Sequence, residues 1–216
     1  MRDKREIYSH IDHTLLGQTA TLVELYRLCD EAIDWGAASV CVPPCYVKDA
    51  ADYTGGGVKV CTVIGFPNGY NTTAIKAEEA RQAVLDGASE IDMVINLGMV
   101  KDGRFREIEE EISEVKKACR GAVLKVIIEA CFLSDYQKET LCKIVDSAGA
   151  NYIKTSTGFG SGGATEEDVA LFAECLKGTD VKIKAAGGIR TLEAADRFLD
   201  LGADRIGSSA IIKAEY

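Results

Sequence analysis

Two lysines stand in short apolar segments where a charged side chain is unexpected. Lys154 lies in the segment Tyr-Ile-Lys-Thr-Ser-Thr-Gly, and Lys184 lies in Val-Lys-Ile-Lys-Ala-Ala-Gly-Gly. Burying an ammonium group is costly unless it is paired, so such a lysine is rare without a partner or a chemical role. A second positive charge nearby favours the neutral form of a lysine. A neutral lysine is a nucleophile for carbonyl carbon, and the pair therefore predicts Schiff-base chemistry.

Two carboxylates occur in similar surroundings. Asp92 lies inside the apolar segment Glu90–Ile95, and Asp12 lies in Ile7–Thr14. A buried carboxylate needs a cation or hydrogen-bond donors, which a lysine across a barrel lumen supplies. An acid beside a Schiff-base lysine also moves the protons that imine formation and hydrolysis require. We predict Asp92 as a proton donor and acceptor, Asp12 as a supporting acid, and His13, of opposite parity, as a packing or loop residue.

Glycines at helix ends mark the elements that must position these residues. The pair Gly-Ala followed by a strand-like segment starts at Gly36, Gly87, Gly149 and Gly202. A glycine directly after a helix supplies the left-handed turn that ends it. The spacing of roughly 50 to 60 residues is the length of two βα units. A second set of strands is therefore expected between these sites.

Eight strand-like segments alternate with helical stretches. The predicted strands lie within Ile7–Thr14, Ser39–Val42, Val58–Gly65, Glu90–Ile95, Val123–Glu129, Tyr152–Lys154, Val181–Lys184 and Arg205–Ser208. The predicted helices include Leu22–Ile33, Thr72–Leu85, Phe105–Ala118, Asp135–Ala148, Glu166–Leu176 and Leu192–Leu201. The alternation predicts an α/β protein, a TIM-type (β/α)8 barrel that forms a single domain over residues 1–216. An open doubly wound sheet is the alternative, but no Gly-x-Gly-x-x-Gly turn follows the first strand.

The loops after the last three strands are rich in glycine and serine. In a barrel, functional groups lie at the carboxyl ends of the strands, and the last two loops often bind phosphate. Glycines let backbone amides approach phosphate oxygens, and hydroxyl groups add donors. The predicted phosphate-binding or substrate-binding residues are Gly187, Gly188, Gly207, Ser208, Ser209 and Thr155.

Three more lysines recur near strand starts. A solvated position at the bottom of the barrel is the interpretation for Lys59 and Lys182. For Lys125 the sequence leaves a solvated position and a functional one open. Lys184 is followed at once by Ala-Ala-Gly-Gly, which places it at the end of the seventh strand.

Charge and composition limit the function classes. The net charge of -9 and the absence of a basic stripe argue against nucleic acid as a partner. With only His10 and His13 and no cysteine set at zinc spacing, we expect neither a metal nor a cofactor. The eight cysteines include no Cys-x-x-Cys pair, and a charged N-terminus precedes no apolar run. We therefore expect a reduced, cytoplasmic protein without a signal peptide or membrane span.

Seven motifs, in order over nearly the whole chain, resemble the deoxyribose-phosphate aldolase family. They are Ile11–Leu16, Val40–Pro43, Glu90–Val94, Leu124–Glu129, Ile153–Gly158, Lys184–Arg190 and Gly207–Ser209. The resemblance implies a class I aldolase on a (β/α)8 barrel that interconverts 2-deoxy-D-ribose 5-phosphate with glyceraldehyde 3-phosphate and acetaldehyde. It also implies that a small sugar phosphate and aldehydes are the partners, and it suggests a homodimer.

The resemblance also implies roles for individual residues. Lys154 corresponds to the Schiff-base lysine, Lys184 to the second lysine that takes part in proton transfer, and Asp92 to the proton donor and acceptor. Cys41 matches a cysteine that is linked to inactivation by aldehydes in some members. Phe159 stands where some relatives carry a lysine that helps to bind phosphate.

Two other functions are compatible with the residues alone. A phosphate-binding barrel could act as an isomerase or synthase without covalent catalysis, and it would keep the glycine-rich loops without needing Lys154. A non-catalytic binding barrel would keep its ligand after loss of Asp92. Trapping of a covalent adduct separates both from an aldolase.

Overall fold

Eight parallel strands close into a barrel, and helices surround it. The computed structural model describes residues 2–215, without the side chain of Glu215. The strands are β1 (Ile11–Thr14), β2 (Ser39–Val42), β3 (Lys59–Ile64), β4 (Glu90–Val94), β5 (Val123–Ile127), β6 (Tyr152–Lys154), β7 (Lys182–Ala186) and β8 (Arg205–Ser208). Each strand pairs in parallel with the next, and β8 pairs with β1. The predicted (β/α)8 barrel is confirmed.

One short helix precedes β1, and the other helices alternate with the strands along the chain. They are α1 (Lys4–Tyr8), α2 (Leu22–Trp35), α3 (Val47–Thr54), α4 (Thr73–Leu85), α5 (Leu97–Lys101), α6 (Phe105–Ala118), α7 (Asp135–Ser147), α8 (Glu166–Cys175) and α9 (Leu192–Asp200). No helix within residues 2–215 is long and apolar enough to cross a membrane.

Local sequence explains where these helices begin and end. Thr21 caps α2, since its hydroxyl accepts from the Glu24 amide while the Glu24 carboxylate accepts from the Thr21 amide at 2.9 Å. Ser134 and Gln137 form the same reciprocal cap on α7. Gly36 ends α2 at a φ of 71°, in the left-handed region that the glycine pattern predicts.

Two predicted elements differ from the structure. The segment Ile7–Thr14 is not one strand, because Lys4–Tyr8 forms a short helix and the strand starts only at Ile11. Asp3 caps that helix by accepting from the Arg5 amide at 2.9 Å. The seventh strand continues to Ala186, so Lys184 lies at its middle instead of its end.

The apolar core lies between the barrel and its helices. Ile91 and Met93 of β4 belong to the same buried cluster as Ile108 and Ile112 of α6. Side chains of alternate parity on the strands point the other way, into the lumen. This leaves the lumen free for polar side chains without interrupting the apolar layer.

A buried ion pair lies in that helical layer, away from the lumen. Nζ of Lys76 on α4 donates to the Glu111 carboxylate on α6 at 2.8 Å and to the Val94 carbonyl at 2.8 Å. Both side chains are almost fully buried. Burial lowers the pKa of Lys76 and raises the pKa of Glu111, against the attraction between them. The pair therefore depends on both partners being present.

Replacing Lys76 alone tests this dependence. Lys76→Met leaves the Glu111 carboxylate buried without a cation, and we expect a loss of about 3–5 kcal/mol in the free energy of unfolding. Urea denaturation at neutral pH measures it. The double variant Lys76→Met/Glu111→Gln is expected to recover much of the loss, and a double variant no more stable than the single one would contradict this account.

Candidate active site

The four charged residues singled out in the sequence meet in the lumen. Asp12, Asp92, Lys154 and Lys184 come from β1, β4, β6 and β7. Each is buried, and they are linked by direct ion pairs. Inward parity on separate strands brings them together, since neighbouring residues on each strand face the helices.

Asp92 is the centre of this group. Its Oδ2 accepts from Nζ of Lys154 at 2.7 Å and from Nζ of Lys184 at 2.6 Å. Its Oδ1 accepts from Nζ of Lys125 at 2.8 Å and from the Cys61 thiol at 3.3 Å. Charge-assisted bonds of this kind compensate the cost of burying a carboxylate. Asp92 thus holds two lysines together at one oxygen atom.

Asp12 supports the group from the neighbouring side of the barrel. Its Oδ2 accepts from Nζ of Lys184, and its Oδ1 accepts from the Ser39 hydroxyl at 2.7 Å. The Arg205 guanidinium also donates to Oδ1 at 2.5 Å. Lys184 is therefore fixed between the carboxylates of Asp12 and Asp92.

Lys125 is buried, and a solvated position for it is wrong. Its Nζ pairs with Glu90 at 2.7 Å and with Asp92 at 2.8 Å, and its side chain is inaccessible. Lys59 and Lys182 are exposed, as the sequence predicts. The difference arises because Lys125 is the third residue of its strand, whereas the other two are the first.

Below the reacting groups lies a further set of ion pairs. Arg205 donates to Glu90 at 2.9 Å, and its guanidinium lies 5.7 Å from the centre of the Tyr152 ring. Together with the residues above, these form what we call the lumen cluster. Its members are Asp12, Glu90, Asp92, Lys125, Lys154, Lys184 and Arg205.

Opposite charges determine the protonation states in this cluster. Burial alone raises the pKa of the Asp92 carboxyl group, but the surrounding lysines, Lys125 first, hold it well below its usual range. Burial alone lowers the pKa of Lys184, but Asp12 and Asp92 outweigh this and raise it above its usual value. Lys125 does lower the pKa of Lys184, but the two carboxylates outweigh it, so the expected lowering of the Lys184 pKa is wrong.

A cleft of 330 Å³ opens above the cluster at the carboxyl ends of the strands. Of the lumen cluster, Lys154 is the member that lines it. Lys184 and Lys125 are fully buried beneath. A small molecule entering the cleft therefore meets the amine of Lys154 first.

Two glycines bring the loops after β6 and β7 into contact. The Gly187 carbonyl accepts from the Ala164 amide at 3.2 Å. A Cβ atom on Gly163 would lie 2.2 Å from the Gly187 carbonyl oxygen, so no other residue fits there without displacing a loop. Gly187 and Gly188 have φ values of 90° and 80°, which glycine adopts without strain.

The two serines at the carboxyl end of β8, Ser208 and Ser209, have different surroundings. Both line the cleft with Gly207. The Ser208 hydroxyl donates to the Ile189 carbonyl at 2.8 Å and accepts from the Ala210 amide at 3.2 Å, which ties the two loops together. Ser209 is exposed. The predicted phosphate-binding residues at the carboxyl ends of β7 and β8 thus share one wall of the cleft.

Thr155 does not line this cleft. It is fully buried, and its hydroxyl donates to the Ala186 carbonyl at 3.0 Å while accepting from the Ala186 amide at 3.1 Å. These bonds join β6 to β7 beside Lys154 and Lys184. Thr155 directly follows Lys154, so its side chain faces the opposite way, and its expected contact with substrate stays a prediction.

Two charged residues near the cleft were not assigned from the sequence. Arg190, the last residue of the Lys184–Arg190 motif, is exposed and lines the cleft beside the glycines. Glu129 is buried at a φ of 47°, and its carboxylate accepts from both the amide and the hydroxyl of Thr157. The sequence held one signal for Glu129, because this glutamate ends the otherwise apolar segment that follows Lys125.

The opposite wall of the cleft is apolar. Phe159 is half exposed and meets Phe66 edge to face, with ring centres 5.3 Å apart. Leu16 lines the same cleft, and it packs with Phe66 against buried Cys41 and Cys61. A bound molecule would have a polar end near the glycines and an apolar side near these rings.

The remaining titratable residues of this region have structural surroundings. His13 points away from the lumen, and its Nε2 lies 2.7 Å from the Glu31 carboxylate. Burial lowers the pKa of His13. Cys41, Cys61 and Asp92 have potential ligand atoms within 4.8 Å of one another. A metal ion there would have to displace the lysines that already occupy both Asp92 oxygens.

Comparison with known proteins gives a consistent set of relatives. The model of the DeoC/LacD family aldolases matches residues 7–210. A deoxyribose-phosphate aldolase of Clostridioides difficile is 50% identical over 97% of this chain and 95% of the relative. One of Streptococcus agalactiae is 52% identical over 97% of this chain and 93% of the relative.

Solved structures agree with these matches. The crystal structure of a putative deoxyribose-phosphate aldolase from Coccidioides immitis superposes with a TM-score of 0.95 at 39% identity, over 99% of this chain and 87% of that one. A deoxyribose phosphate aldolase from Aeropyrum pernix, described as tetrameric, gives 0.90 at 33% identity, over 99% and 92%. The protein therefore belongs to the DeoC/LacD aldolase family.

Proposed function

We propose that the protein is a class I aldolase that cleaves 2-deoxy-D-ribose 5-phosphate reversibly to glyceraldehyde 3-phosphate and acetaldehyde. The main support for this proposal is that Lys154, a member of the buried lumen cluster, lines a cleft whose other wall is rich in glycine and serine. The relatives at 50% and 52% identity are named deoxyribose-phosphate aldolases. A non-covalent isomerase or synthase would not need a lysine at the position of Lys154 in the cleft.

Lys154 is the residue that forms the Schiff base. It is the lysine of the cluster that a substrate reaches, whereas Lys184 lies below it and carries a proton. Lys154 Nζ attacks the C1 aldehyde of the open-chain sugar, and loss of water gives an iminium ion. The iminium accepts the electron pair of the C2–C3 bond as that bond breaks.

Proton transfers complete the cycle. Cleavage requires loss of the proton on the C3 hydroxyl, and it releases glyceraldehyde 3-phosphate and leaves an enamine. The enamine is protonated at C2, and water then hydrolyses the imine to acetaldehyde. Lys184 enters as an ammonium ion, so it serves first as a donor, and Asp92 between the two lysines carries protons from one to the other.

The phosphate group binds at the polar wall. Gly187, Gly188 and Ser209 line this wall, where backbone amides can approach the phosphate, and Arg190 adds a positive charge at the rim. These local donors must hold an anion against a net charge of -9. Phe159 contributes an aromatic ring and no charge to this binding.

Other properties remain proposals from the sequence. We propose that the protein works in the cytoplasm, in the breakdown of deoxyribose phosphate, and binds neither nucleic acid nor membranes. A homodimer is the proposed assembly, while one relative of the same fold is described as a tetramer. Gel filtration with light scattering distinguishes these states.

Trapping with acetaldehyde and borohydride tests the covalent step. Reduction of the imine is expected to leave a stable ethyl group on Lys154, located by peptide mass mapping, because this amine lines the cleft. Lys154→Arg keeps the charge and should show no adduct. An adduct on Lys184 would reverse the two lysine roles, and a folded protein without any adduct would exclude the aldolase.

Replacing Arg190 tests the anion site. Arg190→Met is expected to raise the KM for 2-deoxyribose 5-phosphate roughly tenfold, with a much smaller change in kcat, since the lost contact is made in substrate and transition state alike. Steady-state kinetics measure both constants. Lys48→Met removes an exposed charge elsewhere and serves as the control. Equal effects of the two variants would argue against a phosphate contact.

A further inference from the structure

We propose that Glu129 is a positioning residue whose carboxylate holds the loop after β6 in the shape that the phosphate-bearing end of the substrate needs. This loop spans residues 157–164, and we call it the β6 loop. Glu129 does not line the cleft, so it acts through the loop that does. The inference rests on the proposed function, because it concerns how the same cleft recognises a sugar phosphate.

The backbone at Glu129 is held on both sides by the strand that carries Lys154. The Ile128 amide donates to the Lys154 carbonyl at 3.1 Å. The Ala130 amide donates to the Thr155 carbonyl at 2.8 Å. Between these two bonds Glu129 has a φ of 47°, in the left-handed region that residues other than glycine seldom adopt. Strained residues of this kind cluster at functional sites, so the position of this side chain calls for a role.

The carboxylate of Glu129 binds the start of the β6 loop. One oxygen accepts from the Thr157 amide at 3.1 Å, and the other accepts from the Thr157 hydroxyl. The Thr157 hydroxyl accepts in turn from the Phe159 amide at 3.0 Å. Glu129 is only 3% exposed, so these bonds are shielded from water and are strong. The carboxylate therefore fixes Thr157 and, through it, Phe159.

Two glycines let the loop pack closely on the segment that carries Glu129. A Cβ atom on Gly160 would lie 3.0 Å from the carboxyl carbon of Glu129. A Cβ atom on Gly162 would lie 2.8 Å from the Cβ atom of Cys131, two residues after Glu129. The loop thus rests on the turn after β5 and folds over the carboxylate itself.

The far end of the β6 loop is attached to the polar wall of the cleft. The Ala164 amide donates to the Ala186 carbonyl at 3.0 Å and to the Gly187 carbonyl at 3.2 Å. Gly187 is one of the residues proposed to bind phosphate. Gly158 and Phe159, between the two attachments, line the cleft. A loop released at Glu129 would therefore change the shape of the cleft beside the phosphate.

The reacting amine does not depend on this attachment. Nζ of Lys154 donates to Asp92 at 2.7 Å, and this bond lies in the lumen below the loop. Imine formation with acetaldehyde needs the amine, whereas binding of a sugar phosphate also needs the wall of the cleft. Loss of the Glu129 carboxylate should therefore separate the two.

Glu129→Gln keeps the size of the side chain but places an NH2 group, which is a donor, where an acceptor is needed. We expect the KM for 2-deoxyribose 5-phosphate to rise about tenfold and kcat to change less than about threefold. In the synthesis direction the KM for glyceraldehyde 3-phosphate should rise with it, while the KM for acetaldehyde should not. The rate of borohydride-trapped adduct formation on Lys154 with acetaldehyde should stay within about twofold of the parent rate.

Glu139→Gln is the matched control, because it removes an exposed carboxylate from α7 and should leave all these constants unchanged. Hydrogen exchange followed by mass spectrometry gives a direct readout of the loop. Peptides that cover residues 157–164 should exchange faster in Glu129→Gln, and peptides that cover β4 should not. A general structural role would accelerate exchange in both and would lower the trapping rate as well.

A second pair of variants separates the carboxylate from the backbone strain. Glu129→Gly removes the carboxylate and relieves the strain at this φ, and it should give the same kinetic pattern as Glu129→Gln. Gly160→Ala presses a methyl group against the carboxylate and should raise the same KM by a smaller factor, about threefold. In the double variant Glu129→Gly/Gly160→Ala there is no carboxylate to displace, so the alanine should add no further loss.

Circular dichroism confirms that each variant is folded, and if Glu129→Gln does not fold, Glu129→Gly and Gly160→Ala carry the test. Folded variants with the parent KM for both phosphorylated substrates would overturn the proposal. So would a loss of acetaldehyde trapping as large as the loss in cleavage of the sugar phosphate. Absence of a Lys154 adduct in the parent protein is a different result, because it would overturn the aldolase function itself.

Discussion

A single carboxylate organises the interior of this barrel. Asp92 accepts hydrogen bonds from the Nζ atoms of three lysines, which come from three successive strands. Removed from water, it stays ionised only because those lysines surround it, and they in turn stay buried only because it is there. The same carboxylate holds Lys154 next to Lys184, so the interaction that stabilises the lumen also places the amine that the cleft exposes.

The elements and the main chemical residues were predictable from local signals. Glycines after helices and strand-like apolar segments located every strand of the barrel, and Lys154, Lys184 and Asp92 stood out as charges in apolar strands. Lys125 could not be assigned in this way. Three lysines share the same apolar-Lys-apolar pattern, and their exposure depends on where each strand starts in the closed sheet.

Hydroxyl groups near the site illustrate a second limit of sequence analysis. Thr155 and Ser208 are predicted to contact substrate, and in the structure each hydroxyl also bonds to backbone, Thr155 to Ala186 on β7 and Ser208 to Ile189 and Ala210. A serine or threonine in a glycine-rich loop can bind a ligand or form a structural hydrogen bond to the backbone, and the residue type does not distinguish the two roles. For Thr155, the sequence did hold one signal that favours the structural role. Thr155 stands next to Lys154, and adjacent residues of a strand face opposite sides.

The ion pairs of the lumen divide along the chain. Asp12, Glu90 and Asp92 all belong to β1–β4, whereas the bases Lys125, Lys154, Lys184 and Arg205 all belong to β5–β8. The two half-barrels are thus electrostatic complements, one carrying the acids and the other the bases. Neither half could exclude water from its lumen side chains alone, because it would then bury charges of one sign. Closure of the barrel and neutralisation of its interior must therefore occur together. The arrangement disfavours pairing of a half-barrel with a second copy of itself, because like charges would then meet.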